Sequence, residues 1–168
     1  MKLLIIGHGG HGKDALGEIL ARDFGLKGVS SSEFAAQKAV YPLVPDLYAD
    51  WRACYLDRRA HRALWYHAIR AYNLRPGPSL AAQILAAHDI YTGMRSRAEL
   101  EGSRDLFDAV IWVDRSKHVP PEPAGSMELS AADADLVIDN NGTLEDLAAE
   151  AARLMAFLRR FGANCENA

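Results

Sequence analysis

The chain has 168 residues, of which 49% are hydrophobic, 24% charged and 8% aromatic, with a formal net charge of −3. That length suits one domain and the composition a globular one, whereas the acidic balance argues against a dedicated nucleic-acid binder, which carries a basic surplus. Cys54 and Cys165 lie too far apart for a C-x-x-C zinc site or a disulfide framework, and neither a secretion-signal pattern nor an apolar run of ~20 residues is present, so a reducing cytoplasm is the expected compartment, with no membrane partner.

"KLLIIG", residues 2–7, is a continuous apolar run ended by glycine, which predicts a strand buried on both faces of a parallel sheet. "GHGGHGKD", residues 7–14, follows with the G-x-x-x-x-G-K spacing of a phosphate-binding loop between strand and helix. Gly7, Gly9, Gly10, His11, Gly12, Lys13, Asp14 and Ala15 are its candidate nucleotide-binding residues. Glycines let successive N–H groups face an anion, the helix N-terminus adds its positive dipole end, and Lys13 supplies a full charge.

Asp14 stands where this motif calls for serine or threonine. A bare carboxylate ~5 Å from a phosphate charge is repelled by roughly 3 kcal/mol at an effective dielectric of ~20. A magnesium ion between the two reverses the sign. Asp14 is therefore the candidate Mg²⁺ residue, directly or through a water ligand, while His8 and His11 read as loop fillers because no third metal ligand is spaced nearby.

"GKDALGEILARDFG" places Ala15, Leu16, Ile19, Leu20 and Phe24 on one helical face, with Gly25 as the stop. "KGV", residues 27–29, predicts a second strand, and "SSSEF" leads into a helix over 34–40 that "YPLVP" breaks. Ser31 or Ser32 suits a helix cap, and the hydroxyls of Ser30, Ser31 and Ser32 equally suit a sugar or phosphate. Further helices are expected over 50–73 and 79–88, separated by "LRPGP". Residues 52–75 carry Arg52, Arg58, Arg59, Arg62, Arg70 and Arg75 against Asp57 alone, a solvated face or a phosphate-binding one. Arg58 and Arg62 are four apart with Trp65 and Tyr66 nearby, an arrangement able to sandwich a base and its phosphate, although Trp65 suits a core equally well.

"DIYTGM", "DAVIWVD" and "DLVID" are three further strands, each opening at an aspartate. The proline-containing connection 115–134 has the length of a lid or binding loop. Asp114, just before it, suits either the orientation of metal-bound water or a strand end. "LEDLAAEAARLMAFLRRF" then forms an amphipathic helix with Leu144, Leu147, Ala151, Leu154 and Leu158 along one stripe, followed by a tail, 162–168. The alternation predicts an α/β, three-layer α/β/α architecture with a mostly parallel five-stranded sheet.

"LLIIGHGGHGKD", "SSS", "GMRSR", "FDAVIWVD" and "VIDNNGTLEDL" together resemble the bacteriophage-type deoxynucleoside monophosphate kinases over about residues 1–158, and "GKD" also occurs in some phosphomevalonate kinases. The resemblance implies a phosphate-loop kinase fold, one domain over 1–161, with an acceptor-binding helical region over about 30–88 and a lid over about 115–134. It also implies ATP and Mg²⁺ as cofactors, nucleotide substrates, a monomer or homodimer, and a host cytoplasm if the chain is phage-encoded. By this resemblance Arg95 grips the acceptor's phosphate, with its planar fork suited to phosphate oxygens. Thr92 departs from the aspartate that many relatives carry near the metal.

Arg97 joins Arg95, or else pairs with Glu101 four residues on. Ser30, Ser31, Ser32, Arg58, Arg62 and Trp65 fall in the acceptor region, and Asn140, Asn141 and Gly142 at the donor base, with Thr143 and Asp146 reading also as a helix start. Arg115 closes onto the transferring phosphoryl group, and Lys13, Arg95 and Arg115 form the catalytic set. The expected activity is ATP-dependent phosphorylation of a (deoxy)nucleoside monophosphate, dGMP first and then dTMP. The alternatives are a kinase of dephospho-coenzyme A or phosphomevalonate type, or a non-catalytic nucleotide-binding module.

Overall fold

The computed structural model describes residues 1–123 and 125–162. Its sheet is built of β1 (Leu3–Ile6), β2 (Gly28–Ser30), β3 (Ile90–Thr92), β4 (Ala109–Asp114) and β5 (Leu136–Asp139), in the order β2-β3-β1-β4-β5. Each of the four pairings is parallel, for example Leu4 beside Tyr91 on one side and beside Val110 on the other. β1 is central and all four of its residues are fully buried, which is why its sequence is uninterrupted by polar residues.

The pleat sorts the core into two halves. Leu4 and Ile6 of β1, with Tyr91, Val110 and Trp112, face one layer of helices. That layer comprises α2 (Ser31–Ala35), α3 (Trp51–Leu56), α4 (Arg62–Leu74) and α5 (Leu80–Leu85), all between β2 and β3, with α6 (Arg97–Glu101) following β3. Leu3 and Ile5, with Ile90, Ile111, Val113 and Ile138, face the other layer, α1 (Lys13–Phe24) and α7 (Leu144–Gly162). The result is the expected three-layer α/β/α fold.

Three strand-opening aspartates lace the sheet at its N-terminal edge. Asp89, before β3, accepts from Lys27 N at 2.9 Å and Lys2 Nζ at 3.4 Å. Asp108, before β4, accepts from Lys2 N at 2.6 Å, and Asp135, before β5, accepts from Val110 N at 2.7 Å and from the Arg104 guanidinium with both of its oxygens. Hydrogen bonding holds the Asp89 carboxyl below the usual carboxylate range, the Lys27 N–H first among the donors. These bonds follow the strand order, so they tie each strand entrance to its neighbour.

Helix ends obey local chemistry. Gly25 closes α1 in the left-handed conformation and donates to Ala21 O at 3.1 Å, as its position predicted. Thr143 and Asp146 cap α7 reciprocally: Thr143 N donates to the Asp146 carboxylate at 2.9 Å and Asp146 N to Thr143 Oγ1 at 3.2 Å.

Several expectations change. The helix expected over 34–40 begins at Ser31, with Ser30 at the cap position, and passes into a π-helical turn over Ala36–Val40. The single helix over 50–73 is broken by a 3₁₀ turn, Asp57–Arg59, at which the Asp57 carboxylate accepts from the Tyr48 hydroxyl at 3.0 Å and pairs with His61. The helix expected over 79–88 covers only Leu80–Leu85. Leu144 leaves the apolar stripe of α7, being 59% exposed, and Met155 is buried among the stripe residues. Residues 163–168 of the predicted tail, including Cys165, lie outside the described residues.

Candidate active site

All the candidate segments gather where the strands end. The loop 7–12 leaves β1, Ser30–Ser32 leave β2, Gly93–Arg95 leave β3, Asp114 and Arg115 close β4, and Asn140–Gly142 follow β5. Open α/β sheets place ligands at this carboxyl edge.

The phosphate loop is tightly set. Gly12 sits at φ 93°, and a Cβ there would collide with the side-chain amide of Asn140, so only glycine fits. That amide instead donates to His11 O at 2.9 Å, while Asn140 O accepts from Arg115 Nη1 at 2.8 Å. Lys13 Nζ folds back over the loop and donates to Gly7 O at 2.8 Å and His8 O at 2.7 Å. Burial, and next the Arg95 charge, bring its pKa down from 10.5 to about 8.

The two loop histidines, expected as loop fillers and not metal ligands, brace the loop against the connection that follows β4. His11 is fully buried; its Nδ1 accepts from Arg115 N at 3.1 Å, so Nε2 carries the proton and donates to Val119 O at 3.1 Å. His8 Nδ1 accepts from Glu122 N at 3.3 Å, and its ring stands edge-on to Trp112 with centroids 5.2 Å apart. Burial and the neighbouring His11 hold the His8 pKa down, which favours this neutral, accepting form.

Of the residues expected to bind an acceptor, the structure brings Arg62 and Arg95 together and leaves Arg58 and Trp65 out. Arg62 Nη1 lies 2.9 Å from Glu122 Oε1 and Arg95 Nη1 lies 2.7 Å from Glu122 Oε2. Arg95 follows Met94, a buried residue at φ 72°, an uncommon backbone state for a side-chain-bearing residue and one associated with functional turns. Arg58, displaced by the break in its helix, donates to Tyr55 O at 3.0 Å and stacks on the Tyr55 ring at 3.9 Å. Trp65 is 7% exposed in the core and presents no face to a base. Arg97 pairs with Asp133 and Glu128 O across the connection, not with Glu101. Ser31 is buried beneath Gly93, and Ser30 and Ser32 are half-buried.

Beside the loop lies a cleft of about 320 Å³ lined by Gly10, Gly12, Ala15, Arg115, Asn140, Gly142, Thr143, Leu144 and Leu147, within the size range of small-ligand sites. Its polar end is the loop and its apolar floor is Leu147. The Asn141 amide donates to Asp114 at 3.1 Å and Asp139 at 2.6 Å and accepts from Lys117 N at 3.0 Å. The Arg115 guanidinium is turned to Asn140 and lines this cleft. Asp14 is exposed in the first turn of α1 and, among the described residues, accepts no hydrogen bond. No group of three or more His, Cys, Asp or Glu able to cage a metal occurs among them.

Sequence reasoning missed Glu122 altogether. Its carboxylate accepts from Gly9 N at 2.8 Å as well as from Arg62 and Arg95, and its side chain is 12% exposed. Although burial pushes its pKa up, the Arg95, Arg62 and Gly9 donors outweigh it and bring the value to about 2. The one signal in the sequence is its place between Pro121 and Pro123.

No protein-family model matches the sequence, and no curated protein matches it. Among solved structures the chain is similar to TT1252 from Thermus thermophilus, 16% identical, with 94% of this chain and 97% of that one covered and a TM-score of 0.51. A shikimate kinase from Aquifex aeolicus aligns over 96% of this chain and 99% of its own at 13% identity and a TM-score of 0.49. A gluconokinase from Sinorhizobium meliloti aligns over 94% and 95% at 15% identity and a TM-score of 0.46. At these identities the likeness is one of fold: a parallel α/β sheet between two helical layers, with a glycine-rich loop after the central strand. Among the described residues no helix is long and apolar enough to cross a membrane.

Proposed function

We propose that the chain is a phosphotransferase that moves the γ-phosphoryl group of ATP to a small acceptor bearing its own anionic group, a (deoxy)nucleoside monophosphate before others. The observation that carries this reading is the meeting of two separately built half-sites: the Gly9 N–H and Lys13 of the phosphate loop, and the acceptor-side Arg62 and Arg95. Such an arrangement suits phosphoryl transfer, in which positioning and charge neutralisation do most of the work and no covalent nucleophile is required.

In this reading the donor base lies in the cleft between Arg115 and Gly142–Leu144, and the loop amides and Lys13 take the β- and γ-phosphates. Arg95 and Arg62 hold the acceptor's anionic group so that an acceptor oxygen faces the γ-phosphorus. That oxygen forms the new P–O bond as the bond to the β-phosphate bridge breaks and ADP leaves. The connection 115–134 serves as the lid that keeps water out. An exposed single carboxylate beside the loop fits Mg²⁺, which favours few protein ligands, several waters and substrate phosphates. When bound beside Asp14, Mg²⁺ supplies neutralisation of the phosphate charge.

A coupled ADP-release assay across dNMPs, dephospho-coenzyme A, phosphomevalonate and neutral sugars tests the reading. Acceptor-dependent ADP release with one anionic acceptor, reduced at least a hundredfold in Arg95→Met, is expected. ATP binding with no acceptor raising ADP release above the water rate would overturn it in favour of a nucleotide-binding module.

A further inference from the structure

Glu122 belongs to neither half-site, yet it touches both. One carboxylate oxygen takes the Gly9 N–H of the phosphate loop at 2.8 Å and the Arg95 guanidinium at 2.7 Å; the other takes Arg62 at 2.9 Å. Its own N–H is seated on His8 Nδ1, and Val119, three residues earlier, is seated through its carbonyl on His11 and through its side chain beside Gly10. The two histidines of the loop therefore hold the connection in register over it. Prolines on either side restrict the chain at Glu122, so little conformational freedom is lost in presenting the carboxylate.

The donors that converge on this carboxylate are those a phosphoryl group would use: one loop amide and two guanidinium groups. Gly9 has a single N–H, and a hydrogen bond made to Glu122 is not made to a phosphate. A carboxylate and a phosphate side by side also repel. Occupation by Glu122 and occupation by a phosphoryl group are consequently mutually exclusive.

We propose that Glu122 is a tethered stand-in for the phosphoryl group in transit, filling its subsite in the empty protein and leaving it when a phosphate-bearing ligand enters. The proposal rests on the phosphotransferase reading above and adds a specificity device to it. A ligand gains the site only by bringing an anionic group able to replace the carboxylate on Gly9, Arg62 and Arg95; a neutral acceptor leaves Glu122 in place and the arginines occupied.

The test is binding of inorganic pyrophosphate by calorimetry at constant ionic strength to the full chain, to Glu122→Gln and Glu122→Ala, and to Asp105→Asn, a control that removes one exposed charge from the 3₁₀ turn Arg104–Leu106 ahead of β4. If the plugged form outnumbers the open one about ten to one, removing the plug tightens binding about tenfold. Both Glu122 variants are expected to show that gain and Asp105→Asn none. The Gly9 amide resonance should move in Glu122→Ala without ligand and, on addition of pyrophosphate, converge in all four proteins. Equal or weaker binding in the Glu122 variants, or an equal gain in Asp105→Asn, overturns the proposal while leaving the phosphotransferase reading intact. Absence of pyrophosphate binding in every protein overturns that reading, and this proposal with it.

Discussion

Replacing Lys13 with methionine should separate function from stability. In the empty protein, burial and then the Arg95 charge bring this ammonium from 10.5 to about 8, which costs the folded state about 3 kcal/mol at neutral pH. Against that stand two hydrogen bonds, to Gly7 O and His8 O, each worth about 1.5 kcal/mol for a charged donor. The two contributions nearly cancel, so Lys13→Met should change unfolding stability by less than about 1 kcal/mol. The ammonium's attraction to a phosphate at ~4 Å is about 4 kcal/mol at an effective dielectric of ~20, a loss of about a thousandfold in pyrophosphate or ATP affinity. Urea unfolding and calorimetric titration on the same preparations check both halves. Because the folded pKa is lowered, the cost of the charge is full below pH 8 and fades as pH rises toward 10.5; the wild type should therefore gain on Lys13→Met across that window. Unchanged affinity in Lys13→Met, or a stability loss above about 3 kcal/mol, would refute the reasoning.

The margin by which the wild type binds pyrophosphate more tightly than Lys13→Met should shrink as pH rises above about 8, because the empty protein must then take up a proton on Lys13 to bind, while the ligand's own ionisation is common to both proteins. Titrations near pH ~8.5 in buffers of different ionisation enthalpy should reveal that uptake. Asp14→Ala should bind metal-free pyrophosphate more tightly than the wild type, by up to roughly a hundredfold for a ~3 kcal/mol repulsion relieved at ~5 Å, and should lose most of the gain that Mg²⁺ gives; identical behaviour with and without EDTA in both proteins would remove Asp14 from the metal's surroundings.

The glycine loop and its flanking elements were legible in the sequence because their determinants are local. An apolar run, spaced glycines and a lysine specify β1, the loop and α1 within the segment ending at Phe24, and Thr143 with Asp146 caps α7 over a single turn. The aspartates of "DIY", "DAV" and "DLV" were legible as strand openers, though not as the lacing of the sheet edge, since their partners come from other strands. The surroundings of Arg62 and Arg95 were less legible. Arg58 and Arg62 share a face only on an unbroken helix, and the turn at Asp57–Arg59 is bonded to Tyr48, a tyrosine nine residues away. Periodicity also fails to distinguish a Trp65 in the core from one beneath a base. Glu122 meets Gly9 across 113 positions, a contact that exists only once the connection lies on the loop.

β2 and β3 are neighbours at one side of the sheet, and the excursion from Ser31 to Leu85 leaves the end of one and returns to the start of the other. No pairing of β1 with β4 or of β4 with β5 depends on it. The helices that carry Arg62 thus form a cassette: a graft between Ser30 and Ile90 that respects the two strand ends, and again covers Leu4, Ile6, Val110 and Trp112, would exchange one helical surface for another over the same strands.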